Sequence, residues 1–294
     1  MTAKPYSGNV FGSGSVSSGL DPRQEEGVTF SEKYRSAAQA GETRVCVGLD
    51  PDPVKLPSHF SQDVGGVTNF LKQIIDATHD LACAFKPNFA FFGALGPEGI
   101  TALADVIEHI PDRVPVILDF KAGDIGNTAE KYAEMAYEVL KADAVTVNPY
   151  MGWDAVEPFL CGQEKCVFLL CLTSNPGSQD FQRLDTDQGP LFEVVARKAS
   201  KWSEHGDFGL VVGATHPQDL PRVRELAPTL TFLIPGVGSQ GGDPNQIAAQ
   251  AATEDGFGTL VNTSRGVLYA SSGEDFKEAA RRAADDLRIS LQAG

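Results

Sequence analysis

A chain of 294 residues, 42% apolar and 21% charged, has the composition of an ordinary soluble globular protein, with enough length for one large α/β domain or two smaller ones. No apolar run approaches the roughly 20 residues that a bilayer-spanning helix needs. The formal net charge of −15 argues against nucleic acid as a partner, because polyanions select a basic face; an anionic substrate would need a local basic pocket.

Residues 1–27 are rich in Gly and Ser, show no sustained period and lack the apolar centre of a secretory signal. They read as a flexible N-terminal tail. A transit peptide is the weaker alternative, since Lys4 and Arg23 are the only basic residues there. Residues 28–294 read as a single domain in which a short helix precedes a regular alternation of apolar runs and amphipathic segments. The runs are "RVCVGLD" from 44, "ACAFKP" from 82, "VPVILDFK" from 114, "AVTVNP" from 144, "VFLLCLT" from 167, "GLVVGAT" from 209, "LTFLIPG" from 230 and "GTLVNTS" from 258. Between them, stretches such as "VTNFLKQIIDATHD", "AEKYAEMAYEVLKA" and "LFEVVARKASKWSEH" carry apolar residues near helical spacing. Eight such strand and helix units in about 250 residues predict a (β/α)8 TIM barrel, with an open doubly wound sheet as the alternative.

The five cysteines are an odd number without a Cys-x-x-Cys pair, and Cys46, Cys83 and Cys171 fall inside apolar runs, where a thiol behaves as a small hydrophobe. Reduced thiols and a cytoplasmic location are the favoured reading. No His, Cys and carboxylate cluster has metal-site spacing, so no metal and no cofactor is expected. His216, in "GATHP" at a strand end, is the nearest histidine to a catalytic position, but a lone loop histidine is more often structural.

The strand ends are polar. In "VILDFKAGDIGNT" the two-residue period puts Asp119 and Lys121 on one side of the third strand and Phe120 on the other. Asp50, Lys86, Ser174 and Arg265 end or follow other strands, so in a barrel all six converge on the carboxyl-terminal mouth, where active sites of this fold are built. Each has a bland alternative. Asp50, before "PDP", could cap a turn; Asp124 and Thr128, before "AEKYAEM", could cap a helix; Lys86, or Asp119 with Lys121, could form a structural pair. Two lysines and two acids at strand ends are harder to dismiss together, because buried charges are costly unless mutually paired. The loops "PGVGSQGGDP" (235–244) and "SRG" (264–266) follow the last two strands, where barrels often bind phosphate, with Arg265 as the charge and Gln240 as a neutral donor.

"LDFKAGDIGNT" resembles the Asp-x-Lys-x-x-Asp signature of the orotidine 5′-phosphate decarboxylases. The order "GLDPD", "FKP", "DFKAGD", "TSNPGS", "PGVGSQGGDP" and "NTSRG" follows that family from about residue 29 to the end, in the form of its longer bacterial subgroup. The resemblance implies decarboxylation of orotidine 5′-monophosphate to uridine 5′-monophosphate in pyrimidine synthesis, without cofactor, in a homodimer. It implies that Lys86, Asp119, Lys121 and Asp124 form an alternating charge array, with Lys121 stabilising and protonating the carbanion. Asp124 and Thr128 would reach the partner's site, Asp50 the ribose, Ser174 the pyrimidine, and Gln240 with Arg265 the phosphate. Residues 174–190 would form a lid. The related 3-keto-gulonate 6-phosphate decarboxylases and hexulose-phosphate synthases share the signature but carry a magnesium-binding glutamate on strand two, where this chain has Lys86. One departure is Gly93 after "AFF", where the family pattern often has an acid. The alternatives are a magnesium-dependent sugar-phosphate decarboxylase or aldolase, and a catalytically silent barrel that binds a phosphorylated ligand.

Overall fold

In the computed structural model, which describes residues 27–215, 217–237 and 243–292, each of the eight apolar runs forms a strand. They are β1 (Val45–Leu49), β2 (Ala84–Pro87), β3 (Ile117–Ala122), β4 (Ala144–Val147), β5 (Cys166–Leu172), β6 (Asp207–Val212), β7 (Thr231–Pro235) and β8 (Thr259–Thr263). Every neighbouring pair is parallel, in the order β2-β1-β8-β7-β6-β5-β4-β3. The two ends of that order meet through parallel bridges between Phe85 and Val116 and between Asn88 and Asp119, so the sheet closes into the expected barrel.

Helices α1 (Phe30–Ala40), α2 (Val64–Thr78), α3 (Pro97–His109), α4 (Gly126–Glu134), α5 (Leu191–Trp202), α6 (Leu220–Leu226), α7 (Pro244–Ala251) and α8 (Phe276–Ser290) lie between or beside the strands. The connection after β4 is reduced to single turns at Pro149–Met151 and Trp153–Val156. Alternate strand residues split the core in two. Val45, Val47, Leu49, Phe85, Leu118, Val145, Val147, Val167 and Leu169 pack outward against the helices, while Cys46, Ala84, Ile117, Ala144, Phe168, Val211, Leu233 and Leu260 fill the interior.

Helix α1 closes the floor of that interior. Thr29 and Glu32 cap it reciprocally, and Phe30 packs edge-on against Phe168 with ring centroids 5.5 Å apart. The Tyr34 hydroxyl donates to the Thr259 carbonyl at 3.1 Å and the Ser31 hydroxyl to Asp207 Oδ2 at 2.7 Å. Ion pairs from Lys33 to Asp143 at 2.9 Å and from Arg35 to Asp255 at 2.6 Å hold the rim of the helix. With the floor apolar and plugged, the opposite end of the barrel is left as the open polar face.

Candidate active site

Two residues further along β2, β3, β4 and β8 than the apolar interior layer, the inward side chains turn polar: Lys86 after Ala84, Asp119 after Ile117, Thr146 after Ala144 and Asn262 after Leu260. All four are buried. Asp119, 8% exposed, is the centre. Its Oδ2 accepts from Lys86 Nζ at 2.7 Å and Asn88 Nδ2 at 3.2 Å, and its Oδ1 from Lys121 Nζ at 2.5 Å and the Thr146 hydroxyl at 3.1 Å. Burial by itself would raise the Asp119 carboxyl, but the charges of Lys86 and Lys121 and the hydrogen bonds they donate hold it well below the usual carboxylate range. Burial would likewise lower Lys86, which is 3% exposed, yet the negative charges of Asp119 and Asp50 outweigh it and raise the ammonium above its ordinary value. Both groups are therefore ionised at neutral pH. Lys121 differs from Lys86 in access: its side chain is 49% exposed and faces the mouth.

The backbone brings Asp119 and Lys121 together in a way that simple alternation does not describe. The β3–β4 register runs Leu118 to Val145 and then Ala122 to Val147, so β3 bulges by two residues across the motif. Lys121 sits at φ +50°, in the left-handed region that residues other than Gly, Asn and Asp seldom adopt. The expected side is reached through this bulge and not through a regular pleat.

Asp50 stands after β1 with Oδ1 buried and without a protein hydrogen-bond partner among the described residues. The turn-capping alternative fails for it, because Asp52 is the residue that caps the turn Pro53–Lys55. Asn262 Oδ1 and Ser264 Oγ are also buried without a partner among the described residues, and they crowd Gly48, where a Cβ would lie 2.8 Å from that of Ser264 and 3.1 Å from Asn262 Oδ1. Asp124 and Thr128 do not cap α4, whose first residue follows Ile125 and has no side-chain cap. Asp124 is half-buried, accepts among the described residues only the neighbouring Ile125 N–H at 2.8 Å, and forms no ion pair with Lys86 or Lys121. Within this chain the charge array is thus Lys86, Asp119 and Lys121, and Asp124 stands apart. Its chain neighbour Ile125 is an exposed apolar side chain, and so are Tyr150, to 79%, Phe181 and Met151, whose Cε would lie 3.5 Å from a Cβ at Gly123.

Ser174 follows β5, where its backbone packs so tightly on Gly213 that a Cβ there would lie 2.8 Å from Ser174 N. The segment 174–190 is no bare loop: it contains the helical turn Ser178–Phe181 and a ribbon pairing Asp185–Thr186 with Gly189–Pro190. Gln182 ties it to Thr173, with Thr173 N donating to Gln182 Oε1 at 2.7 Å, and Arg183 to Asp219 at 2.5 Å. Arg265 is exposed at the start of the turn after β8. Asp243 caps α7, accepting from Asn245 N at 3.1 Å. Gln240 and His216 lie outside the described residues.

Sequence reasoning missed Asn88 and Thr146. Asn88 follows "FKP" at a strand end, and Thr146 is the one polar residue in the core of "AVTVNP"; an inward polar position in an apolar run was the available signal. Among the described residues no group of three or more His, Cys, Asp and Glu is arranged to hold a metal ion.

A family model described as "Orotidine 5′-phosphate decarboxylase / HUMPS family" matches residues 43–283. A curated relative from Herpetosiphon aurantiacus, named orotidine 5′-phosphate decarboxylase, is 47% identical over 266 residues, covering 90% of this chain and 98% of its own. One of the same name from Roseiflexus sp. (strain RS-1) is 49% identical over 268 residues, with the same coverage. The solved structure titled "Structure of Leishmania donovani OMP decarboxylase" superposes with a TM-score of 0.79 at 39% identity, over 91% of this chain and all of that one.

Proposed function

The chain belongs to the orotidine 5′-phosphate decarboxylase / HUMPS family, and from that premise we propose that it is a carboxy-lyase converting orotidine 5′-monophosphate to uridine 5′-monophosphate in pyrimidine synthesis, acting as a cofactor-free homodimer. The observation that carries this reading is the Lys86–Asp119–Lys121 cluster at the mouth: an ionised, buried acid between two ammonium groups, one of which is accessible. An ammonium on β2, where magnesium-dependent relatives of the superfamily would need an acid, supports the metal-free branch.

The reaction removes a carboxylate from a ring carbon with no adjacent electron sink. The bond to the carboxylate breaks, its electron pair stays on the ring carbon, carbon dioxide leaves, and a proton from the Lys121 ammonium takes its place. The same ammonium stabilises the developing carbanion electrostatically before it gives up the proton. Asp119 stands beside the substrate carboxylate. Two like charges about 4 Å apart at an effective dielectric of ~20 repel by about 4 kcal/mol, roughly a thousandfold in rate when decarboxylation relieves it. That is an upper bound, since Lys86 and Lys121 neutralise much of the Asp119 charge. Asp119 also holds Lys121 in place, and Lys86 keeps Asp119 ionised.

The remaining roles follow the same chemistry. Asp50 Oδ1, an acceptor without a donor among the described residues, suits a ribose hydroxyl. Ser174 would meet the pyrimidine, and Arg265 with Gln240 the phosphate, whose remote binding energy would order the segment 174–190 over the site. Asp124 and Thr128 would serve the partner's site; the support is that Asp124 forms no ion pair with Lys86 or Lys121 and that its chain neighbour Ile125 is an exposed apolar side chain.

The test is the fall in ultraviolet absorbance of orotidine 5′-monophosphate with a chelator present, for the unmodified protein and for Lys121→Ala. Turnover that survives the chelator and vanishes in the variant is expected. An inert unmodified protein would refute the assignment, and turnover only with added magnesium would refute its metal-free form.

A further inference from the structure

The bulge in β3 leaves two backbone donors off the sheet ladder, the N–H groups of Phe120 and Lys121. One side-chain oxygen takes both. Thr146 Oγ1 accepts from Phe120 N at 3.0 Å and from Lys121 N at 2.9 Å, and donates its own proton to Asp119 Oδ1 at 3.1 Å. A hydroxyl has one hydrogen and two lone pairs, so Thr146 is used to full capacity. At 1% exposure it has no water to fall back on. The backbone it holds is strained, since a residue with a long side chain such as Lys121 seldom adopts a left-handed φ.

We propose that Thr146 is a positioning residue for the decarboxylation: its single hydroxyl fixes both the left-handed backbone that aims the Lys121 ammonium and the Asp119 carboxylate that receives it. This rests on the decarboxylase reading for its kinetic consequence, although the hydrogen-bond network stands by itself. Thr146 acts through Asp119 and Lys121. Without the hydroxyl, Lys121 loses its backbone anchor while the substrate-holding groups on β1, β5 and β8 are untouched, so turnover and binding should separate.

Thr146→Val keeps the shape and removes the hydroxyl; Thr146→Ser keeps the hydroxyl and removes the methyl. Misplacement of a reacting group by about 1 Å can cost a hundredfold, so kcat of the Val variant should fall roughly 10- to 100-fold with KM within about threefold of the unmodified protein. The Ser variant should recover kcat to within about threefold. Amide hydrogen exchange, followed without substrate, should quicken at Phe120 and Lys121 in the Val variant and stay slow in the Ser variant. A Val variant with full kcat, or Ser and Val variants equally slow, would overturn the proposal, as would unchanged exchange at both amides. An unmodified protein that does not turn over the nucleotide would instead sink the decarboxylase reading, leaving amide exchange to decide whether Thr146 anchors the bulge.

Discussion

Replacing Lys86 by Met probes the buried half of the charge array with little change in side-chain length. Lys86 and Asp119 are 3% and 8% exposed and 2.7 Å apart, so removing the ammonium strands a carboxylate in a dry site. Breaking such a pair from one side costs about 3–5 kcal/mol. Asp119 keeps Lys121, Asn88 and Thr146 as donors, which places the expected loss near the lower end, about 3 kcal/mol at pH 7. For a chain of this size that is a fall of roughly 6–12 °C in Tm. The pH dependence has a definite sign. In the unmodified protein the folded carboxyl lies well below its unfolded value near 3.9, so its contribution is present above about pH 4 and is lost only as pH falls through the depressed folded value. In the variant the carboxyl rises, because one of the two cations that depressed it is gone, and the variant picks up a proton at a higher pH than the unmodified protein. The stability gap measured by urea unfolding should therefore be widest at pH 7 and narrow towards pH 4. A gap under about 1 kcal/mol, or one that is constant with pH, would refute the account of Asp119 as an ionised acid dependent on Lys86.

At the floor of the barrel, burial raises the Asp207 carboxyl despite the hydrogen bond from Ser31, so its ionisation works against folding: the favourable term is present at low pH and fades as pH rises through the raised folded value. Asp207→Asn should then raise Tm at pH 7 and give no gain at pH 3; a loss at pH 7 would count against this. A Cβ at Gly209 would press into the Phe168 ring and lie 2.7 Å from the Thr231 carbonyl, so Gly209→Ala should cost about 1–3 kcal/mol in chemical denaturation, and a neutral result would show that the interior has slack. If sites are shared, Asp124→Asn and Lys121→Ala subunits, each inactive, should on mixing and exchange recover about a quarter of the unmodified activity, since half the dimers carry one intact site. Absence of recovery, with exchange verified by size or mass, would place Asp124 outside the partner's site.

Much of the architecture was legible locally. Strand runs and helical stretches announce themselves through period and length, and all eight runs became barrel strands because each buries both faces, one under helices and one in the interior. The polar ends of those runs marked Asp50, Lys86, Asp119, Lys121, Ser174 and Arg265, and a barrel has one mouth for all of them. What the string of residues could not decide was which polar atoms would meet. Lys86 and Asp119 are 33 positions apart, Thr146 and Asp119 27, and only closure of the sheet with its particular register brings them within hydrogen-bond reach. Alternation placed Asp119 and Lys121 on one side, but the two-residue bulge and the left-handed Lys121 that achieve it are a response to β4, through the Thr146 hydroxyl. The separation of Asp124 from the lysines, and the use of α1 as a floor, were decided in the same way. Periodicity is a property of a few adjacent residues and survives in the sequence; the pairing of buried charges depends on distances set by the whole closed barrel, and exists only once it has formed.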